Sequence, residues 1–92
     1  MVNNKLAIEK EAVEKFGTDA QLWMVIEEMS ELSKEVCKYI RGYENQEHIA
    51  EEIADVQIML DQLQIVCGVD SEMVEAFTNS KLERLAKLIG ME

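Results

Sequence analysis

The sequence predicts an all-α chain of four helices, a small bundle completed by oligomerisation. Three observations carry this. The 92 residues contain no proline and four glycines, and each glycine follows an apolar-periodic stretch. The two central stretches repeat apolar residues at helical spacing. The second of these is apolar on two sides, more than so small a chain can cover by itself.

The elements follow in order. A glycine just past a helix end supplies the left-handed conformation that closes the last turn, so Gly17, Gly42, Gly68 and Gly90 mark four helix ends. The first helix spans about 4–16. Thr18 with Gln21 fits a capping box opening the second, about 19–41. That helix places Leu22, Val25, Ile26, Met29, Leu32, Val36 and Ile40 on one stripe. Asn45 can cap the third, about 46–67, with a stripe of Ile49, Ile53, Val56, Leu60, Leu63 and Cys67. The third helix also carries Ala54, Ile58 and Ile65 on its opposite side, and a second subunit is expected to cover one of the two faces. Asp70 or Ser71 starts the fourth, about 71–89. Short connections favour antiparallel neighbours. Residues 1–92 read as a single domain without repeat, low-complexity tract or linker.

Composition narrows the function. The formal net charge is -10 and no basic stripe is present, which argues against nucleic-acid binding. An acidic chain can still bind a polyphosphate through a divalent cation, although acidity alone serves only solubility. No apolar core follows Met1–Lys5 as in a signal peptide, and no run approaches the roughly 18 apolar residues of a membrane span, so a cytoplasmic protein is expected. Cys37 and Cys67 have neither disulfide-framework nor zinc spacing and read as small buried hydrophobes. His48 is the single histidine, a surface or capping residue, and there is no ExxH pair for a di-iron site.

The chemistry lies in carboxylates. The second helix contains Glu27-Glu28-Met29-Ser30-Glu31, and the third Glu51-Glu52-Ile53-Ala54-Asp55. Residues three apart lie about 60° apart around a helix and roughly one turn along it. Glu28 with Glu31, and Glu52 with Asp55, can therefore face one ligand from two neighbouring helices. Four converging carboxylates repel and raise one another's pKa. A hard divalent cation reverses that sign, and Mg²⁺ suits oxygen ligands and bridges to phosphates, which points to phosphoryl chemistry. The same spacing occurs at Glu11/Glu14, Glu44/Glu47 and Glu72/Glu75, where it reads as a solvated surface. The chosen pairs differ in lying on the two longest, most apolar helices, and Glu52 flanks the apolar stripe of its own.

The segment EExxE at 27–31, the twenty residues 32–51 and then ExxD at 52–55 resembles the signature of MazG-like all-α nucleoside triphosphate pyrophosphohydrolases, over roughly residues 18–85. The flanking text EEMSELSKEVCKYIRG and IAEEIADVQIMLDQL is similar to that of short, stand-alone members. The resemblance implies a Mg²⁺-dependent enzyme that cleaves a (deoxy)nucleoside triphosphate to the monophosphate and pyrophosphate. It implies homodimers or homotetramers whose bundle is shared between subunits. It implies Glu28, Glu31, Glu52 and Asp55 as metal ligands, with Glu27 beside Glu28 as the expected catalytic pair, Glu27 orienting water. The segment Asn79–Leu85 is similar to one in which a Lys and an Arg meet substrate phosphates, here Lys81 and Arg84. That chemistry suits a point charge and a planar fork, while a helix C-terminus favours basic residues in any case. The family's further basic residue has only Lys87 as a counterpart, because Leu88 is apolar. Trp23 is expected either to stack on the base or to pack in a core or interface.

Two other readings stand beside this one. The first is another enzyme on the same scaffold, such as a phosphoribosyl-ATP pyrophosphohydrolase or a dimeric dUTPase-like enzyme. The second is a non-catalytic acidic helical module that oligomerises or binds a partner helix.

Overall fold

The computed structural model describes residues 4–91, which form helices α1 (Lys5–Phe16), α2 (Thr18–Ile40), α3 (Gln46–Cys67) and α4 (Ser71–Leu88). The all-α architecture and the four helices match the sequence expectation to within a residue at each end. No strand occurs among the described residues, and none of their helices is long and apolar enough to cross a membrane.

Two glycines show why the chain breaks where it does. Gly17 has φ 87° and ψ 160°, a region open almost only to glycine, and it alone separates α1 from α2. Gly68 is left-handed, and the Gly68 and Val69 N–H groups return to the Ile65 and Gln64 carbonyls, closing α3 as a Schellman turn. Asp70 caps α4 by accepting from the Glu72 N–H at 2.6 Å. The expected capping box on α2 does not form. Thr18 is already inside the helix, and the Gln21 amide turns inward to donate to the Ala12 carbonyl at 3.4 Å. Asn45 stands at the start of α3, but its side chain is used elsewhere. It donates to the main-chain carbonyl of Glu35 at 2.9 Å and to its carboxylate at 2.8 Å, pinning the α2–α3 loop.

α2 and α3 form a hairpin whose contacts dominate the fold, with α1 laid against both. Gln21 and Met24, early in α2, meet Met59 and Gln62, late in α3. Glu28, further along α2, meets Glu52 and Asp55, earlier in α3. The two helices are therefore antiparallel. Their inward faces overlap the apolar stripes of the sequence only in part: Val25 is buried, and Leu32, Ile49, Val56 and Leu63 are half-buried. Among the described residues only Val25 and Met59 are buried apolar ones, whereas Gln21, Glu35, Asn45 and Gln62 of this hairpin are buried polar ones. Ile26, Met29, Val36 and Ile40 of the α2 stripe, and Ile53 and Leu60 of α3, are exposed. Cys37 and Cys67, expected to be buried, are also exposed free thiols. The seam between α2 and α3 carries charge and amide beside Val25 and Met59, and much of each apolar stripe is rotated outward.

α4 behaves differently. Its residues are exposed from Ser71 to Leu88, apart from half-buried Ala86, and it packs extensively on none of the other helices. The radius of gyration is 16.1 Å, against about 12 Å for a compact chain of this length.

Candidate metal centre

The site is built by the helical repeat. Glu28 occupies the inward stripe of α2 with Gln21, seven residues earlier; Glu52, Asp55, Met59 and Gln62 share the inward stripe of α3. Oxygens of Glu28, Glu52 and Asp55 lie within 4.8 Å of one another. The Glu28 carboxyl is pushed above the usual carboxylate range by burial first, then by Asp55, Glu52, Glu31 and Glu27. Glu52 is pushed up likewise, by burial first and then by Asp55, Glu31, Glu51 and Glu35. None of the ion pairs among the described residues neutralises these three groups; those pairs join Lys5 to Asp61, Lys38 to Glu35 and His48 to Glu51.

Glu52 adds a separate observation. Its Oε2 is buried and has no hydrogen-bond partner. A lone carboxylate oxygen in that state, beside two others, is unfavourable unless a proton or a cation joins it. Three hard oxygen donors at this separation fit a divalent cation of the Mg²⁺ or Ca²⁺ type better than a soft metal.

The structure brings together three of the four expected ligands. Glu31 is exposed and adds its charge to Glu28 and Glu52, yet it stands outside the group of three. Glu27 is exposed beside Glu28. Trp23 is 68% exposed, and five residues of helix turn it about 140° away from Glu28. Lys81 and Arg84 are on α4, where they line a shallow hollow of about 260 Å³ with Leu85 and Leu88. That hollow contains none of the three carboxylates.

Sequence reasoning missed the buried polar residues. Gln21 and Gln62 carried a usable signal, since each is seven residues from a candidate ligand on the same stripe, Glu28 and Asp55. The Lys5–Asp61 pair, at 2.6 Å, and the buried Glu9 beside it carried none, being 56 positions apart in the pair itself.

No family model, no curated protein and no solved structure matches this chain. The MazG-like resemblance thus rests on the paired carboxylate motif and its placement on two consecutive helices.

Proposed function

We propose that this protein hydrolyses a (deoxy)nucleoside triphosphate to the monophosphate and pyrophosphate, using Mg²⁺ held by Glu28, Glu52 and Asp55 with Glu31 alongside. The supporting observation is the convergence of three carboxylates, one with a buried, unpartnered oxygen, with no ion pair to any of them among the described residues. A bound cation would supply charge neutralisation and polarisation of the phosphate oxygens. In this reading the exposed Glu27, next to Glu28, orients a water and accepts its proton as the water oxygen bonds to phosphorus and the bond to pyrophosphate breaks.

A second copy completes the site. Val74, Phe77, Leu85 and Leu88 lie on one face of α4 and all are exposed. At 100° per residue Lys81 falls within that same face and Arg84 at its edge. Whatever surface covers these apolar residues also covers Lys81, and a buried ammonium requires an anionic partner. An acidic second copy of this chain meets both demands, as a homodimer or homotetramer, and brings Lys81 and Arg84 within the reach of phosphates. The exposed apolar faces also favour the second reading, a non-catalytic oligomerising module, which would be indifferent to Glu52→Gln.

Product analysis separates the two. The protein is incubated with each (d)NTP, dUTP and phosphoribosyl-ATP included, with Mg²⁺ or EDTA, beside Glu52→Gln. Monophosphate and pyrophosphate in wild type, absent with EDTA and in the variant, support the enzyme. A folded wild type that turns over none of them supports the module.

A further inference from the structure

A second group of carboxyls lies where the start of α1 meets the last turns of α3 and the start of α4. It lines a cavity of about 470 Å³ that shares no residue with the metal centre. Here Glu9, Asp61 and Asp70 stand against a single ammonium, that of Lys5. Lys5 is already committed, its Nζ pairing with Asp61 Oδ2 at 2.6 Å. Asp70 is committed too, as the cap that accepts from the Glu72 N–H. Glu9 is left over. It is 4% exposed, and its Oε2 is buried without a hydrogen-bond partner. A buried carboxylate without a cation is costly, so the group holds a proton to higher pH than usual. Burial is the first cause, then hydrogen bonding to Asp61 and its charge, with Lys5 acting in the opposite sense.

A proton settles the charge and leaves the apolar walls uncovered, Leu6 and Val69 being exposed. A ligand that carries both a positive charge and hydrocarbon answers both needs. A divalent metal ion answers only the first. It asks for several converging oxygens, and among the described residues three metal-ligating side chains converge only at Glu28, Glu52 and Asp55. We infer that this cavity binds an alkylammonium ion, whose N–H groups reach Glu9 Oε2 and Asp61 and whose hydrocarbon lies along Leu6, Ile65 and Val69. The ligand's charge takes the place of the Glu9 proton, which passes to solvent. Oε2 is closed in the free protein, and the ligand reaches it by displacing Lys5, whose long side chain is 65% exposed. Nothing in this site depends on nucleotide hydrolysis.

The test titrates the labelled full chain with n-butylammonium chloride, n-butanol or MgCl₂ at constant ionic strength. NMR follows the carboxyl carbons of Glu9 and Asp61 and the side-chain amide of Gln64, which lines the same cavity. Butylammonium alone should give saturable shifts at all three. Its binding should weaken as pH falls through the Glu9 value, by up to about tenfold per unit. The charged groups acting on Glu9 in that titration are Asp61 of α3 and Lys5 of α1, with none from α2 among the described residues; Asp70, at the start of α4, lines the same cavity. Glu9→Gln removes the charge at similar volume and should weaken binding about tenfold or more, the worth of a hydrogen bond to a charged group. Leu6→Lys, made at an exposed position, supplies an ammonium from within the chain and should abolish binding, so the test survives a Glu9→Gln that fails to fold. No shift with butylammonium overturns the site, as do equal shifts with butanol, which would make it a plain apolar hollow. Unchanged binding in either folded variant overturns it as well. So does Mg²⁺ shifting Glu9 and Asp61 as strongly as butylammonium, which would show a metal site instead.

Discussion

The α2–α3 seam and helix α4 solve opposite problems. The seam has neighbours and fills them with polar groups: Glu28, Glu52 and Asp55 at one level, Gln21 and Gln62 at another, Glu35 and Asn45 at the loop. α4 has apolar groups and no extensive neighbour among the described residues, with Phe77, Leu82 and Leu85 at least half exposed. A chain folding for itself alone would exchange the two, placing apolar residues in the seam and charges outside. The proposed function follows this difference, with ligand chemistry at the seam and a covering surface for α4 as its two testable parts.

The comparison can be broken most forcefully at α4. A buried Phe contributes about 1.5–3 kcal/mol, so Phe77→Asp should weaken subunit association about ten- to a hundredfold. Sedimentation velocity checks this: wild type sediments as an oligomer at micromolar concentration and the variant as a monomer. A wild type that is already monomeric removes the role given to α4.

At the seam, saturating Mg²⁺ should stabilise wild type by about 2.7 kcal/mol at a hundredfold excess over its Kd, seen as a raised Tm. Glu52→Gln should lose that response and melt higher than wild type in EDTA, since it removes one of three mutually repelling carboxylates. The sign follows from the raised pKa values of Glu28 and Glu52. In EDTA their contribution is fullest below the unfolded carboxylate pKa and is lost as pH rises through the folded values.

Asn45→Ala sharpens the same comparison at the loop. Loss of its hydrogen bond to the Glu35 main-chain carbonyl should cost about 1 kcal/mol in urea unfolding. Asn45 also holds the Glu35 carboxyl below the usual range, against burial and with help from Lys38. That contribution is present above the unfolded pKa and fades as pH falls through the folded one, so the variant should lose less stability on acidification than wild type. The smallest effect is expected at α1. Glu9 is 4% exposed with an unpartnered Oε2, and burial first, then the neighbouring Asp61, raises its pKa. Wild type should lose stability as pH rises through that raised value, and Glu9→Gln should flatten this part of the pH–Tm curve.

The fold class and the helix boundaries were legible because their signals are local: glycines at stops, no proline, and period 3.6 between them. The rotation of each helix about its axis was not. The apolar stripe of α2 is centred on residues such as Ile26 and Met29, which face outward, because the inward face follows the partner helix rather than mean apolarity. Sequence spacing therefore placed Glu28, Glu52 and Asp55 correctly beside one another by the i, i+3 rule across neighbouring helices, but it also admitted Glu31, which the same rotation leaves outside. Lys81 and Arg84 could be located on α4 from the text, yet nothing local states what α4 faces.

The most direct measurement follows Mn²⁺ added in substoichiometric amounts to labelled protein, by paramagnetic broadening of NMR signals. The seam carboxylates are compared with the acidic pair Glu72 and Glu75 on exposed α4, which has the same spacing. The account predicts that signals of Glu28, Glu52 and Asp55 broaden first and that Glu52→Gln abolishes this. Equal broadening at Glu72 and Glu75, or no preference for the seam, would contradict it.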